Sequence, residues 1–175
     1  MKNILALPRT WWRSLGAMTL ITAIVALLVA ACLAVSAAFG WQLYRQHRTS
    51  ASRSAAIAAA KRTATAMMSV SYTTVDSDMR QVLDGATGDF AQQYKSSEGT
   101  VRSAVTENKV QSTAGVLYAS LSTLDVGKTA TVYLAVDATV KNTKAPKGTK
   151  SHYRMQVTVA DKSGHWLVSK IVYVG

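Results

Sequence analysis

The chain has 175 residues, with 20 Lys and Arg against 9 Asp and Glu for a formal charge of +11. It is 49% hydrophobic, 17% charged, and holds one Cys, two Pro and three His. These counts exclude a disulfide scaffold, a multi-cysteine zinc or iron–sulfur site and a Pro-rich or collagen-like chain, and the apolar fraction is too high for general disorder.

Residues 1–13 form a short basic tail with Lys2, Arg9 and Arg13. No residue from 14 to 44 is charged, a run of about 30 residues where roughly 20 in a helix cross a hydrocarbon core. Trp11 and Trp12 stand before it, and Trp41 and Tyr44 near its end, as rings do at the two headgroup zones. The spacing predicts a membrane-spanning helix over 14–44, with these four rings at the interfaces. Two rivals fit less well. A cleaved secretory leader with Ser36-Ala37-Ala38 as its cut site has a shorter apolar stretch of about 7–15 residues. Val29-Ala30-Ala31-Cys32 matches a lipobox, but the sequence stays apolar beyond it, so Cys32 reads as a small buried hydrophobe. Charge does not orient the span, because cations flank both ends.

Residues 45–72 carry Arg45, Arg48, Arg53, Lys61 and Arg62 and no acid. They are rich in Ala and lack Pro and Gly, so a juxtamembrane helix is predicted, either unbroken or with a short break near 49–52. Its apolar stripe is Ile57, Ala60, Ala64, Met67, Met68 and Val70. Two readings of the cations stand side by side: contact of Arg45, Arg48 and Arg53 with anionic lipid headgroups, or a solvated helix face.

Residues 73–110 read as three short helices. Asp76 caps the first, which holds Met79, Val82 and Leu83 and stops at Gly85. Thr87 caps the second, with Asp89, Phe90 and Tyr94. Thr100 caps the third, with Val101, Ala104 and Val105 inward. From about 111 the period changes to two. Val132, Leu134, Val136, Ala138 and Val140 alternate with Thr131, Tyr133, Ala135, Asp137 and Thr139; Tyr153, Met155, Val157 and Val159 alternate with His152, Arg154, Gln156 and Thr158. A strand over 166–174 and a weaker one over 114–124 complete four. The links at 125–128, 142–150 and 161–164 read as hairpin connections, so the strands form an antiparallel meander. Helices first and strands after is the α+β arrangement, with the helices covering one face of the sheet.

The search for chemistry finds no catalytic or metal constellation and no cofactor motif. His47, His152 and His165 lack metal-ligand spacing. Gly127-Lys128-Thr129 lacks the earlier Gly of a phosphate loop and is followed by a strand. Cys32 lies in the apolar run, and Asp76, Asp78, Asp84 and Asp89 sit where helix caps do. Residues 76–175 hold 12 Lys and Arg against 9 acids. Lys141, Lys144, Lys147 and Lys150 crowd one loop without aromatics, so membrane lipid is a better partner than nucleic acid.

In their order along the chain, Val82-Leu83, Ala86-Thr87-Gly88-Asp89-Phe90, Val136-Asp137-Ala138-Thr139-Val140, Tyr153-Arg154-Met155-Gln156-Val157-Thr158-Val159 and Gly164-His165-Trp166-Leu167-Val168 resemble the Mce-associated membrane proteins of mycobacteria and other actinobacteria. The resemblance covers about 60–174 and the membrane topology. It implies a cystatin-like or nuclear transport factor-like half-barrel over 73–175 on the extracytoplasmic side of the inner (cell) membrane. It also implies a non-enzymatic, single-span accessory subunit of an Mce complex that moves lipids or sterols, partnered by Mce proteins or other envelope membrane proteins. It carries over no site residue. Two alternatives stay open: an assembly subunit of a type IV secretion-like system, and a half-barrel that binds a small ligand, for which Asp137 and His152 are the strand residues to test.

Overall fold

A computed structural model describes the backbone of residues 11–174 and the side chains of residues 27–174 other than Val29, Phe39, Leu43, Arg45 and His47. The chain forms two compact units, residues 1–47 and 48–175. Its elements are α1 (Trp11–Met68), α2 (Val75–Asp84), α3 (Gly88–Glu107), β1 (Gln111–Asp125), β2 (Thr129–Lys141), β3 (Thr149–Lys162) and β4 (His165–Tyr173).

Over its described residues, 11–47, the first unit is helix. Among the described residues no helix is long and apolar enough to cross a membrane. The uncharged run 14–44 falls in large part on side chains outside them, as do Trp11 and Trp12 and the tail 1–10. α1 has no break at 49–52, as expected of a stretch free of Gly and Pro.

In the second unit the strands follow the order β1-β2-β3-β4, all antiparallel. This is the meander, and the α+β fold with a helix-covered sheet, that the sequence predicts. Side chains alternate between faces. The inner face presents Val132, Leu134 and Val136 from β2, Met155, Val157 and Val159 from β3, and Trp166 and Val168 from β4, all buried. Against them lie Ala56, Ala59, Ala60 and Ala64 of α1, each at most 4% exposed. Their spacing of three and four puts them on one helix face. The core stripe is therefore centred on alanines, and Ile57 and Met68 pack at its margin. The sheet already fills the layer with branched and long side chains, and methyl groups let the helix close onto them.

Two short helices, not three, follow α1. Thr74 rather than Asp76 takes the N-cap position of α2. Asp78 ties the turn before it, its Oδ2 accepting from Ser71 N and Thr74 Oγ1 at 2.9 Å each. α3 runs through Gly99 and Thr100 without a stop. Gly99 has open space around it, and the helix is held on both sides of it by Tyr94, Val101 and Val105, which pack with Val75 and Met79. That burial outweighs the roughly 1 kcal/mol that a helical Gly costs. α3 also lies against β4.

The turns explain the register. Ser163 and Gly164 both have positive φ and connect the Lys162↔His165 pair, the two-residue hairpin geometry whose twist matches the strands. Gly127 at φ +78° serves the β1–β2 turn. Both sheet edges are clipped, at opposite ends of the sheet. Ser112 N donates to Val70 O and Tyr72 N to Val110 O, each 2.8 Å, on the β1 side. Val168 N donates to Gly85 O at 2.8 Å and Thr87 N to Val168 O at 2.7 Å on the β4 side. β1 carries two irregularities, between Val116 and Tyr118 and between Leu121 and Thr123, which break the period of two and account for its weak sequence pattern.

Candidate functional site

The residues predicted to meet a membrane do not form one described patch. Trp41 and Tyr44 are exposed on α1 and, three apart, share a helix face. Trp11, Trp12 and the side chain of Arg45 lie outside the described residues. Arg48 and Arg53 are both exposed, but five helical residues turn them about 140° apart. The structure thus spreads these two cations around α1.

Two open grooves flank α1 in the second unit. One, about 820 Å³, runs along Ser54, Ala58, Lys61, Thr65 and Ser69 and is walled by Gln81 of α2. The other, about 590 Å³, lies between Ala59 and Arg62 of α1 and Lys162, His165 and Leu167 at the β3–β4 turn, with Asp84 at its rim. Both are shallow helix-flank grooves with exposed cations.

Asp137 and His152 are cross-strand partners on β2 and β3. Asp137 Oδ1 and His152 Nδ1 are 2.6 Å apart, with the side chains 43% and 77% exposed. The pair is on the outer, helix-free face of the sheet. Neither side chain is enclosed in a cavity. Among the described residues no group of three or more His, Cys, Asp or Glu is placed to hold a metal ion. The raised phenol pKa values belong elsewhere. Tyr94 is pushed up by burial and then by the nearby charges of Glu98 and Asp78. Tyr173 is pushed up by burial and then by Tyr153, whose ring centroid is 6.0 Å away.

The outer face of the sheet holds the feature that strand-by-strand reading misses. Register places Tyr118 beside Ala135 and Ala135 beside Arg154 in one row, and Ser120, Tyr133, Gln156 and Val172 in the next. Val174 N donates to Arg154 O at 2.9 Å, extending the first row across the β4 side. Tyr118 is 77% exposed, and Tyr133, Val172 and Val174 are also exposed. Tyr118, Tyr133, Ala135, Arg154 and Val174 line an open groove of about 340 Å³ whose walls are almost wholly apolar. Tyr133 Oη bonds Gln156 Oε1 at 3.2 Å, fixing one wall. Among the described residues no carboxylate lies within ion-pair distance of Arg154. Tyrosine and arginine on a fixed, partly apolar floor are the composition of protein-contact hot spots. Tyr133 and Arg154 were legible only as members of polar half-strands, and the irregularity beside Tyr118 hid its face.

Comparison with known proteins places this geometry. The family model described as "Uncharacterized protein Rv1363c/MT1408-like" matches residues 17–175, and the chain belongs to that family. The protein Rv1362c of Mycobacterium tuberculosis (strain H37Rv), described as uncharacterized, is 28% identical over 172 residues, 95% of this chain and 76% of its own length. Among solved structures, the periplasmic domain of DotI is similar at TM-score 0.56 and 14% identity, over 69% of this chain and 94% of that one. CagV of Helicobacter pylori, a VirB8 homolog of its T4SS, is similar at TM-score 0.52 and 11% identity, over 69% of this chain and 97% of that one. At these identities the likeness establishes the fold: helices on a four-stranded antiparallel sheet, as in nuclear transport factor-like VirB8 domains.

Proposed function

We propose that this member of the Rv1363c/MT1408-like family is a non-enzymatic, membrane-anchored accessory subunit of a multi-protein assembly in the cell envelope, with its α+β domain on the extracytoplasmic side. The uncharged run 14–44 is the anchor. The domain docks on other subunits and holds them in place. The observation that carries this reading is the fold itself, a half-barrel like those of the DotI periplasmic domain and the T4SS protein CagV. An open, aromatic, cation-bearing sheet face in place of an enclosed cavity supports docking over small-ligand chemistry.

Two assemblies fit. Membership of the VirB8-like fold favours a type IV secretion-like machine as the host. The motif order described above, together with relatives in Mycobacterium tuberculosis, favours an Mce complex for lipid or sterol transport. Cross-linking in intact membranes followed by identification of the bound proteins separates them. Capture of Mce proteins, with loss of Mce protein levels and of lipid uptake on deletion, selects the second. Capture of secretion-channel subunits selects the first. A chain extracted by alkaline carbonate, or a mature chain that begins after residue 38, removes the anchor and overturns the proposal.

A further inference from the structure

The outer face of the sheet has a property beyond being apolar: it complements itself. Arg154 and Asp137 lie on that face, on neighbouring strands β3 and β2 and in adjacent rows, because Arg154 pairs with Ala135 and Asp137 with His152. With strands ~4.8 Å apart and ~3.4 Å per residue, the two positions are separated by one strand and one two-residue step, roughly 8 Å. A twofold axis in the plane of an interface brings each point of a face against its reflection across that axis. When the axis is the perpendicular bisector of the Arg154–Asp137 line, Arg154 of one copy meets Asp137 of the other, twice. On the same spacings that axis passes within ~2 Å of Tyr118 on β1, so the most exposed aromatic of the face meets its own counterpart, and Tyr133 falls against the partner copy's Leu117–Tyr118 edge.

We infer that this face is an isologous dimer interface, joining two copies of the chain through Tyr118, Tyr133 and reciprocal Arg154–Asp137 ion pairs. Three observations single out a second copy as the occupant. The guanidinium of Arg154 has no carboxylate within ion-pair distance among the described residues, and the carboxylate that fits it is on the same face. Asp137 uses Oδ1 for His152, and a carboxylate accepts further bonds. On this face opposite charges interleave with apolar surface, Asp137 and Arg154 lying beside Ala135 and Tyr118, so that a twofold-related copy is complementary to it. On the same spacings the partner's strands cross at about 70°, so the two faces, each about 19 Å across its four strands, overlap over roughly 400 Å² per partner, the scale of a weak, transient interface. This inference does not rest on the envelope role proposed above, since it concerns contact between identical chains.

The test uses the full chain in nanodiscs or detergent, with dimerisation read by analytical ultracentrifugation and by energy transfer between donor- and acceptor-labelled copies. Wild type dimerises. Arg154→Glu sets two carboxylates against each other at both contacts, and Asp137→Arg sets two guanidinium groups together. Each reversal alone weakens self-association by about 100-fold. Mixing the two variants restores opposite charges across the interface, and the mixed dimer returns to within about tenfold of wild type. Recovery in the mixture excludes misfolding as the cause of either loss. In a Cys32→Ser background, Tyr118→Cys cross-links copies through a short bismaleimide. Wild type that stays monomeric at about 100 µM, a dimer that survives both single reversals, or variants that fail to recover on mixing would each overturn the inference. A dimer that survives the reversals runs through another surface, such as the apolar helix.

Discussion

Gly85 sits where α2 ends, and its surroundings make it the most informative single substitution in the domain. Its φ of −93° is open to any residue, so the demand for glycine is purely one of space. A Cβ there would collide with Thr63 Oγ1 and would also stand 3.3 Å from Thr63 Cβ and 3.4 Å from its Cγ2. Thr63 is 1% exposed and donates its hydroxyl to Gly85 O at 3.3 Å. Of the two other χ1 wells of Thr63, one brings the methyl into the space the hydroxyl leaves and the other moves the hydroxyl away from its bond to Gly85 O. Gly85→Ala therefore costs about 1–3 kcal/mol of overpacking plus about 0.5–1.5 kcal/mol for the strained hydrogen bond. For a chain of this size that is a drop in Tm of roughly 3–18 °C. The assay is thermal unfolding of the full chain in detergent, followed by circular dichroism and Trp fluorescence. Thr63→Ala removes the obstacle, and the added methyl then fills the vacated space. The double variant should unfold near Thr63→Ala alone, so the coupling about equals the Gly85→Ala loss itself, roughly 1.5–4.5 kcal/mol. A Gly85→Ala chain whose Tm stays within about 1 °C of wild type, or losses that simply add, would refute the reasoning.

Three further outcomes follow from the same packing. Ala60→Leu, at a site with 0% exposure against the sheet, should destabilise by about 1–3 kcal/mol, while Ala58→Leu on the exposed flank of α1 stays within about 0.5 kcal/mol; the two melting curves compare helix faces directly. Met155→Ala opens a cavity at the centre of the inner face, where Met155 is 0% exposed, and should cost about 2–5 kcal/mol by the same assay. Tyr94 has its pKa raised above 10.0 by burial, then by Glu98 and Asp78. Its unfolded form loses the proton first, so the native state binds more protons above about pH 10 and stability falls as pH rises through that range. Tyr94→Phe should flatten the decline of Tm between about pH 9.5 and 11 and delete a late component of the phenolate absorbance titration.

Most of the fold was legible because it is written in local periods. The alternation of Val132 to Val140 and of Tyr153 to Val159 marks one buried face per strand. Gly127 and the Ser163-Gly164 pair mark turns that need positive φ. The failures have physical causes. Gly99 reads as a stop, yet α3 passes it because contacts from Tyr94 and Val105 hold both flanks. The stripe on α1 reads through Ile57, Ala60, Ala64 and Met67; Ala60 and Ala64 do meet the sheet, whereas Ala56 and Ala59, which it leaves out, complete the close approach and Ile57 lies at its margin, because a sheet of fixed depth decides where the helix can close in. The outer-face site was not legible at all. Tyr118, Tyr133 and Arg154 come from three strands, and only register makes them neighbours.

The two faces of the sheet differ in what they do for the monomer, and Tyr118 tests that division. The inner face and the alanines of α1 together form the core, so the domain folds without help from the opposite surface. An antiparallel sheet with one face covered ordinarily turns polar on the other. Here Thr131, Thr139, Gln156 and Thr158 on the two central strands follow that rule, and Tyr118 on β1, Ala135 on β2, Val172 on β4 and Val174 just beyond it depart from it. A ring 77% exposed contributes little to folding, since most of its surface stays in water in both states. Tyr118→Ser should therefore shift unfolding under dimer-free, dilute conditions by less than about 0.5 kcal/mol, yet weaken self-association by about tenfold or more. Equal losses in both measurements would assign Tyr118 to the monomer's own packing. Unchanged association would leave the aromatic centre of the face without a structural partner in the dimer. The division of labour holds only if the two readouts separate.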